Sequence, residues 1–227
     1  MILVLLGPPG AGKGTQANLL TKQRSLVQLS TGDMLRGAVA AGTALGRKAG
    51  AIMERGELVP DDLVIGLIAE RLDQGDAGQG YILDGFPRTI AQAEALDRLL
   101  AERGKQLDRV IEMKVDDDAL VERITGRFAC AHCGEGYHDP YKMPKVPGVC
   151  DRCGGTNFVR RKDDTEEVVR ARLKAYHAQT EPLIGYYKAQ GKLRGVDGMA
   201  DIALVQKAIN QALDPPEGAH KPPNTPG

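Results

Sequence analysis

The chain opens Ile2-Leu3-Val4-Leu5-Leu6-Gly7-Pro8-Pro9-Gly10-Ala11-Gly12-Lys13-Gly14-Thr15, and this stretch alone sets the architecture. Five successive apolar residues read as a strand buried on both faces. A glycine-rich turn follows, then a helical pattern over residues 14–23. Placed between strand and helix, glycines let backbone N–H groups turn inward around phosphate oxygens, and the helix N-terminus adds a favourable dipole. Lys13 supplies a mobile ammonium for the outer phosphates. The usual pattern sets Ser or Thr directly after that lysine to hold Mg²⁺. Here Gly14 takes the place and Thr15 comes one residue later.

Further apolar, β-rich runs recur at residues 26–29, 81–83, 110–115 and 193–196. Helical patterns lie between most of them, at 63–72 after Pro60-Asp61-Asp62, at 91–102, and at 119–124 after Asp116-Asp117-Asp118. Alternating strands and helices predict a parallel sheet covered on both faces, an α/β fold. The 227 residues suit one sizeable domain with small inserted lobes, and 42% hydrophobic with 26% charged residues excludes wholesale disorder. Thirty basic and thirty acidic side chains balance, which argues against bulk attraction to nucleic acid or an anionic membrane. The longest apolar run, 2–6, is too short for a membrane span or an export signal, so a cytoplasmic protein is expected. Residues 214–227 hold five of the thirteen prolines and no large apolar side chain, and are expected to be a disordered tail.

From 126 to 164 the rhythm breaks, and a loop of that length needs its own organising device. Cys130-Ala131-His132-Cys133 and Cys150-Asp151-Arg152-Cys153 provide one: two Cys-x-x-Cys knuckles at this separation predict a tetrahedral Zn²⁺ site. Four thiolates close the coordination sphere, as in structural rather than catalytic sites. Two disulfides, a redox dithiol and a nucleic-acid-reading zinc ribbon are the alternatives. The zinc ribbon draws on Arg152, Arg160, Arg161 and Lys162 nearby. Zinc would stand in for the hydrophobic core that so small a lobe cannot build alone. His132, His138 and His177 are assigned no catalysis. Asp164-Thr165-Glu166-Glu167 then reads as a capping box with Asp164 as the cap. It opens a long amphipathic helix carrying Val168, Val169, Leu173 and Tyr176, which Pro182 kinks or ends.

Three clusters suggest a second phosphate-bearing substrate. Ser30-Thr31-Gly32-Asp33-Met34-Leu35-Arg36 follows the second strand. Tyr81-Ile82-Leu83-Asp84-Gly85-Phe86-Pro87-Arg88-Thr89 ends a strand in an acid suited to ordering the water shell of Mg²⁺. Arg123, Arg127, Arg161 and Arg172 flank the cysteines. Bringing two polyanions together costs about 4 kcal/mol per unit charge pair at 4 Å and an effective dielectric near 20, which bidentate guanidinium groups offset. With no Asn-Lys-x-Asp guanine-reading motif, the chain points to nucleotide kinases rather than GTPases or motor ATPases.

With these motifs, together with Leu58-Val59-Pro60-Asp61-Asp62 and the Arg160–Leu173 run, the chain resembles adenylate kinases from Met1 to about Ala212. The resemblance is to the long bacterial form with a metal-bearing lid. It implies a P-loop nucleoside monophosphate kinase fold with a five-stranded parallel sheet. The core would be residues 1–29, 60–125 and 165–213, with an AMP lobe at 30–59 and a lid at 126–164. Gly10, Ala11, Gly12, Lys13, Gly14 and Thr15 would wrap the ATP phosphates, with Arg127, Tyr137 and the Ala200 main chain also touching ATP. Thr31, Arg36, Glu57, Leu58, Val59, Gly85, Phe86, Pro87, Arg88 and Gln92 would hold AMP. Lys13, Arg88, Arg123, Arg161 and Arg172 would act on the transferring phosphoryl group, Arg161 and Arg172 also reaching AMP. Asp84 would hold Mg²⁺ through water.

The implied reaction is ATP + AMP ⇌ 2 ADP, serving adenine nucleotide homeostasis in a cytoplasmic monomer that binds neither nucleic acid nor membrane. A phosphate monoester is mostly ionised at neutral pH, its second pKa being about 6, so no general base is needed. A kinase for UMP, CMP or GMP is the near variant. A zinc-ribbon protein switched by nucleotide is the non-enzyme alternative.

Overall fold

The protein is described by a computed structural model covering residues 1–74 and 80–214. Residues 215–227, almost all of the expected tail, lie outside the described residues. Asp214, at its start, forms an ion pair with Arg24 at 2.8 Å.

Strand β1 (Ile2–Leu6) lies at the centre of a five-stranded sheet. It pairs in parallel with β3 (Tyr81–Asp84) on one side and β4 (Arg109–Lys114) on the other. β2 (Val27–Ser30) extends the sheet beyond β3, and β8 (Leu193–Asp197) extends it beyond β4. All five β1 residues are buried, and their alternation divides the core in two. Ile2, Val4 and Leu6 pack with Val64, Ile68 and Leu72 of α4 (Asp61–Asp73), Leu96 and Leu100 of α5 (Ile90–Glu102), and Leu183 and Tyr187 of α8 (Leu183–Ala189). Leu3 and Leu5 pack with Ala17 and Leu20 of α1 (Lys13–Arg24) and with Val205 and Ile209 of α9 (Ile202–Leu213).

From β1 the chain crosses outward to β2, returns to β3, and then passes to the other side of β1. The reversal places a crevice at the carboxyl ends of β1 and β3, where open parallel sheets bind ligands. The glycine turn and the Asp84–Arg88 turn both open there.

Two lobes project from the core. Helices α2 (Thr31–Ala40) and α3 (Ala44–Glu54) form the first. They cross so closely at Gly46 that a Cβ there would stand 2.0 Å from the Ala38 carbonyl oxygen. The second lies between α6 (Asp117–Thr125) and α7 (Glu166–Ala175). It contains an antiparallel sheet of β5 (Arg127–Cys130) flanked by β6 (Gly136–His138) and β7 (Phe158–Val159). Phe128, Tyr137 and Phe158 form an aromatic cluster with centroids 5.5–5.6 Å apart. This lobe therefore has an apolar centre of its own, joined to Cys130 and Cys150.

The cap of α7 differs from its expected form. Thr165, not Asp164, is the N-cap and accepts from the Val168 N–H; Asp164 is drawn away by two arginines. The helix then loosens into a π-helical turn, Tyr176–Thr180, ahead of Pro182. No helix among the described residues is long and apolar enough to cross a membrane.

Candidate active site

Gly10 and Gly12 carry the glycine turn with φ of 85° and 88°, in the left-handed region that other residues adopt only under strain. A Cβ at Gly10 would also lie 2.8 Å from Ile124 Cγ1. Inside the turn, Lys13 Nζ donates to the carbonyl oxygens of Gly7 at 2.7 Å and Pro8 at 2.8 Å. The loop itself thus gives the ammonium two acceptors. Burial lowers its pKa to about 8; Asp84 opposes the change, while Arg88 and Arg127 add to it.

Asp84 ends β3 beside Leu5 of β1. Gln28 Nε2 donates to its Oδ2 at 3.0 Å, and a Cβ at Gly14 would stand 3.5 Å from that same oxygen. The acid therefore reaches the residue where a Ser or Thr hydroxyl is usual. Gln28 escaped the sequence reading, since a polar residue in a strand gives no hint of its partner.

Across the crevice, Gly85 turns with φ of 79°. Its carbonyl oxygen accepts from Thr31 Oγ1 at 2.8 Å and Arg88 Nε at 2.9 Å. The backbone of Arg88 is fixed on both sides. Its N–H donates to Gln92 Oε1 at 2.8 Å, and its carbonyl accepts from Thr180 Oγ1 at 2.8 Å. Val59 and Phe86 are buried in the adjoining core. Glu57 is turned outward and pairs with Arg55 at 2.8 Å.

Arg36, Arg88, Arg127, Arg161 and Arg172 converge between the glycine turn and the two lobes, and three of them feel the positive charge of their neighbours. Arg172 is pushed down to about 9, first by burial and then by Arg127, Arg88, Arg36 and Arg161. Arg161 is pushed down to about 10, first by burial and then by Arg127 and Arg36. Burial also lowers Arg88, with Arg36 contributing and Asp84 opposing. Guanidinium groups keep their protons at neutral pH, so the downward push reflects like charges buried side by side. With 39% of its side chain exposed, Arg161 is better screened than Arg172 at 16%.

Three acids hold the cluster together. Asp33 accepts from Arg36 at 2.5 Å and Arg161 at 3.1 Å. Burial works against the ionised Asp33 carboxyl, but these arginines and Ser30 hold its pKa below the usual value. Asp163 pairs with Arg172, and Asp164 accepts two hydrogen bonds from Arg127. Sequence reasoning missed Asp33 and Asp163 as partners and gave Asp164 a capping role. The run of acids beside Arg161 was the available clue.

The remaining expected residues lie outside this cluster. Arg123, in the last turn of α6, donates to the Gly198 carbonyl at 2.8 Å, two residues before Ala200. The side chain of Tyr137 is 3% exposed in the second lobe. Its hydroxyl donates to Cys150 Sγ at 3.4 Å and accepts from Asp151 N–H at 2.7 Å.

The four cysteines are free, and their sulfurs lie within 4.8 Å of one another. Cys130–Cys153 and Cys133–Cys150 stand 3.6 and 3.5 Å apart, too far for disulfides. Metal–sulfur bonds of about 2.3 Å in a tetrahedron put sulfurs about 3.8 Å apart, so the set has the size to hold a metal ion. Each knuckle is closed alike, with Gly134 N–H on the Cys130 carbonyl and Gly154 N–H on the Cys150 carbonyl, both at 2.9 Å. Both glycines have positive φ, 70° and 72°.

Comparison with known proteins agrees with this geometry. A family model described as Adenylate kinase matches residues 5–192. A protein of Rhizorhabdus wittichii named Adenylate kinase is 62% identical over 214 residues, covering 94% of this chain and all of the relative. Its namesake in Paramagnetospirillum magneticum is 60% identical over 94% of this chain and 99% of its own. One from Paracoccus denitrificans is 57% identical over 93% and 96%. With the strand order, the glycine turn and the arginine cluster already in place, these likenesses leave the zinc-ribbon switch without support: the chain belongs to the adenylate kinase family.

Proposed function

We propose that this enzyme transfers the γ-phosphoryl group of ATP to AMP, reversibly, giving two ADP and balancing the adenine nucleotides. The observation that carries the proposal is the convergence of five arginines on one crevice, with Asp33, Asp163 and Asp164 as their partners. Those carboxylates occupy guanidinium valences that the phosphates of ATP and AMP would take. Gly10, Ala11, Gly12, Lys13, Gly14 and Thr15 wrap the ATP phosphates, and Arg127 meets them from the lid at 126–164. Tyr137 and the Ala200 main chain also touch ATP. In the lobe at 30–59, Thr31, Arg36, Glu57, Leu58 and Val59 line the AMP pocket, completed by Gly85, Phe86, Pro87, Arg88 and Gln92.

Chemistry needs no general base, because the attacking AMP oxygen is already ionised. The chain aligns that oxygen with the γ-phosphorus and neutralises charge through Lys13, Arg88, Arg123, Arg161 and Arg172. Lid closure excludes the water that would otherwise accept the phosphoryl group. Mg²⁺ bound with ATP would supply charge neutralisation. The Asp84 carboxylate, beside Gly14, is the residue that would order its water shell. Zn²⁺ in the four thiolates would be structural, fixing the two knuckles of the lid. Free thiols of this kind suit the reducing cytoplasm, where the enzyme acts as a monomer on small nucleotides.

The test is ADP formation from ATP and Mg²⁺ with AMP, UMP, CMP, GMP or no acceptor. Turnover confined to AMP is expected. Equal or faster turnover with another monophosphate would overturn the acceptor, and acceptor-independent turnover would overturn the reaction.

A further inference from the structure

We propose that Asp61 determines which acceptor base the enzyme reads, by locking the side-chain amide of Gln92 in one orientation. The proposal rests on the placing of Gln92 in the AMP pocket, and takes it as the residue that meets the acceptor base. Gln92 lies in the first turn of α5 and is only 1% exposed. Its Oε1 accepts from the Arg88 N–H at 2.8 Å, and its Nε2 donates to Asp61 Oδ1 at 2.7 Å. The other carboxylate oxygen of Asp61 accepts from Thr89 Oγ1 at 2.9 Å. That hydroxyl, the cap of α5, in turn accepts from the Gln92 N–H at 3.1 Å.

These partners leave the amide no choice. A backbone N–H can only donate and a carboxylate only accepts. Turning the amide over would set its NH₂ against the Arg88 N–H and its oxygen against Asp61. Both contacts would be repulsive in a site sealed from water, where an unmade hydrogen bond is most costly.

An unrestrained glutamine amide reads either purine. Adenine offers an N6 donor and an N1 acceptor. Guanine and hypoxanthine offer an O6 acceptor and an N1–H donor, which the same amide meets by flipping. The locked amide keeps one N–H and one lone pair in the order that suits adenine. Asp61 thus acts as a positioning residue: without touching nucleotide, it makes a two-way reader one-way.

The experiment measures kcat/KM for AMP and for IMP, which carries hypoxanthine, using the full chain with Mg²⁺ and ATP. Asp61→Leu is expected to lower the AMP-to-IMP ratio by about tenfold or more. Asp61→Asn is expected to keep most of the ratio, since its Oδ1 can accept from Gln92 while its Nδ2 donates to Thr89 Oγ1. Asp62→Ala, exposed in the same helical turn, controls for the helix dipole and should leave the ratio unchanged. Loss of folded enzyme lowers both rates together and cannot move a ratio. Should Asp61→Leu not fold, Asp61→Ser gives the same readout, because serine is too short to reach Gln92. An unchanged ratio in Asp61→Leu or Asp61→Ser, with a collapsed ratio in Gln92→Ala, would overturn the lock alone. An unchanged ratio in Gln92→Ala would overturn the base reading beneath it.

Discussion

Lys13 should impose an alkaline limit on capture of ATP but not on turnover once ATP is bound. In the free enzyme, burial lowers its pKa to about 8, with Arg88 and Arg127 adding to the effect against Asp84. The cation is thus lost as pH rises through about 8, far below the usual lysine value of about 10.4. A group of this pKa is about nine-tenths charged at pH 7 and about one-tenth charged at pH 9, so kcat/KM for ATP should fall about tenfold across that interval. Bound phosphates favour the ammonium and raise its pKa again, so kcat should stay level over the same range. The assay is initial rate against ATP at saturating AMP and Mg²⁺, from pH 6.5 to 10. Lys13→Arg, whose charge does not titrate there, should lack the alkaline limb whatever its absolute rate. A kcat/KM flat to pH 10, or a kcat falling in parallel with it, would refute the reasoning. Linkage gives a second sign to check. Because the folded pKa lies below the unfolded one, the free protein should gain stability from Lys13 as pH rises above 8, and Lys13→Met should not show this gain.

Other outcomes follow from the same geometry. Arg88→Ala should lower kcat by about 10²–10³ while circular dichroism shows an intact fold; near-normal turnover would remove its role. Stripping metal with a chelator should make 126–164 the first region to lose amide-exchange protection and should lower Tm, whereas an unchanged Tm in verified metal-free protein would end the structural role of the metal. His177 bridges Glu181 at 2.9 Å and Asp117 at 2.7 Å, and these acids raise its pKa against the effect of burial. Its stabilising contribution should be complete below pH 6.5 and fade as pH rises through the elevated value. Because the bridge is solvent-exposed, His177→Gln should cost under about 1 kcal/mol at pH 5.5 and less at pH 8, by urea denaturation.

Much of this molecule could be read from contiguous stretches. The β1 strand, the glycine turn and the two cysteine knuckles each combine residue type with spacing, and each stands where expected. What escaped depends on contacts between distant segments. Helix α3 has weak formers, Gly46 and Gly50, within it; Gly46 is there because α2 passes too close for any side chain. Asp164 lies one residue ahead of the cap that forms, Thr165, because the guanidinium groups of Arg127 and Arg172 take its carboxylate. The sequence offers Gln92 as an AMP contact, but not the partners that orient its amide, which come from α4 and from the turn after β3. Helix α9 has no side-chain cap to announce it, although Val205, Ile209 and Leu213 stand four apart, a spacing that favours one buried stripe. The lobe at 126–164 was expected to rely on metal alone. Two of the protein's three phenylalanines instead stack there around Tyr137.

That lobe begins and ends at almost the same place. Helices α6 and α7 pack through Leu120, Ile124, Val169 and Leu173, and Asp139 N–H reaches the Gly126 carbonyl at 3.0 Å across its base. Because its two stems are already side by side, it behaves as a cassette in the gene as much as in the fold. A lineage could shorten it, exchange its thiols for hydrogen-bonding residues or graft another hairpin there without altering one strand pairing of the central sheet. The sheet and the four thiols are therefore separable parts, and replacing the cysteines would leave the strand pairing of the sheet untouched.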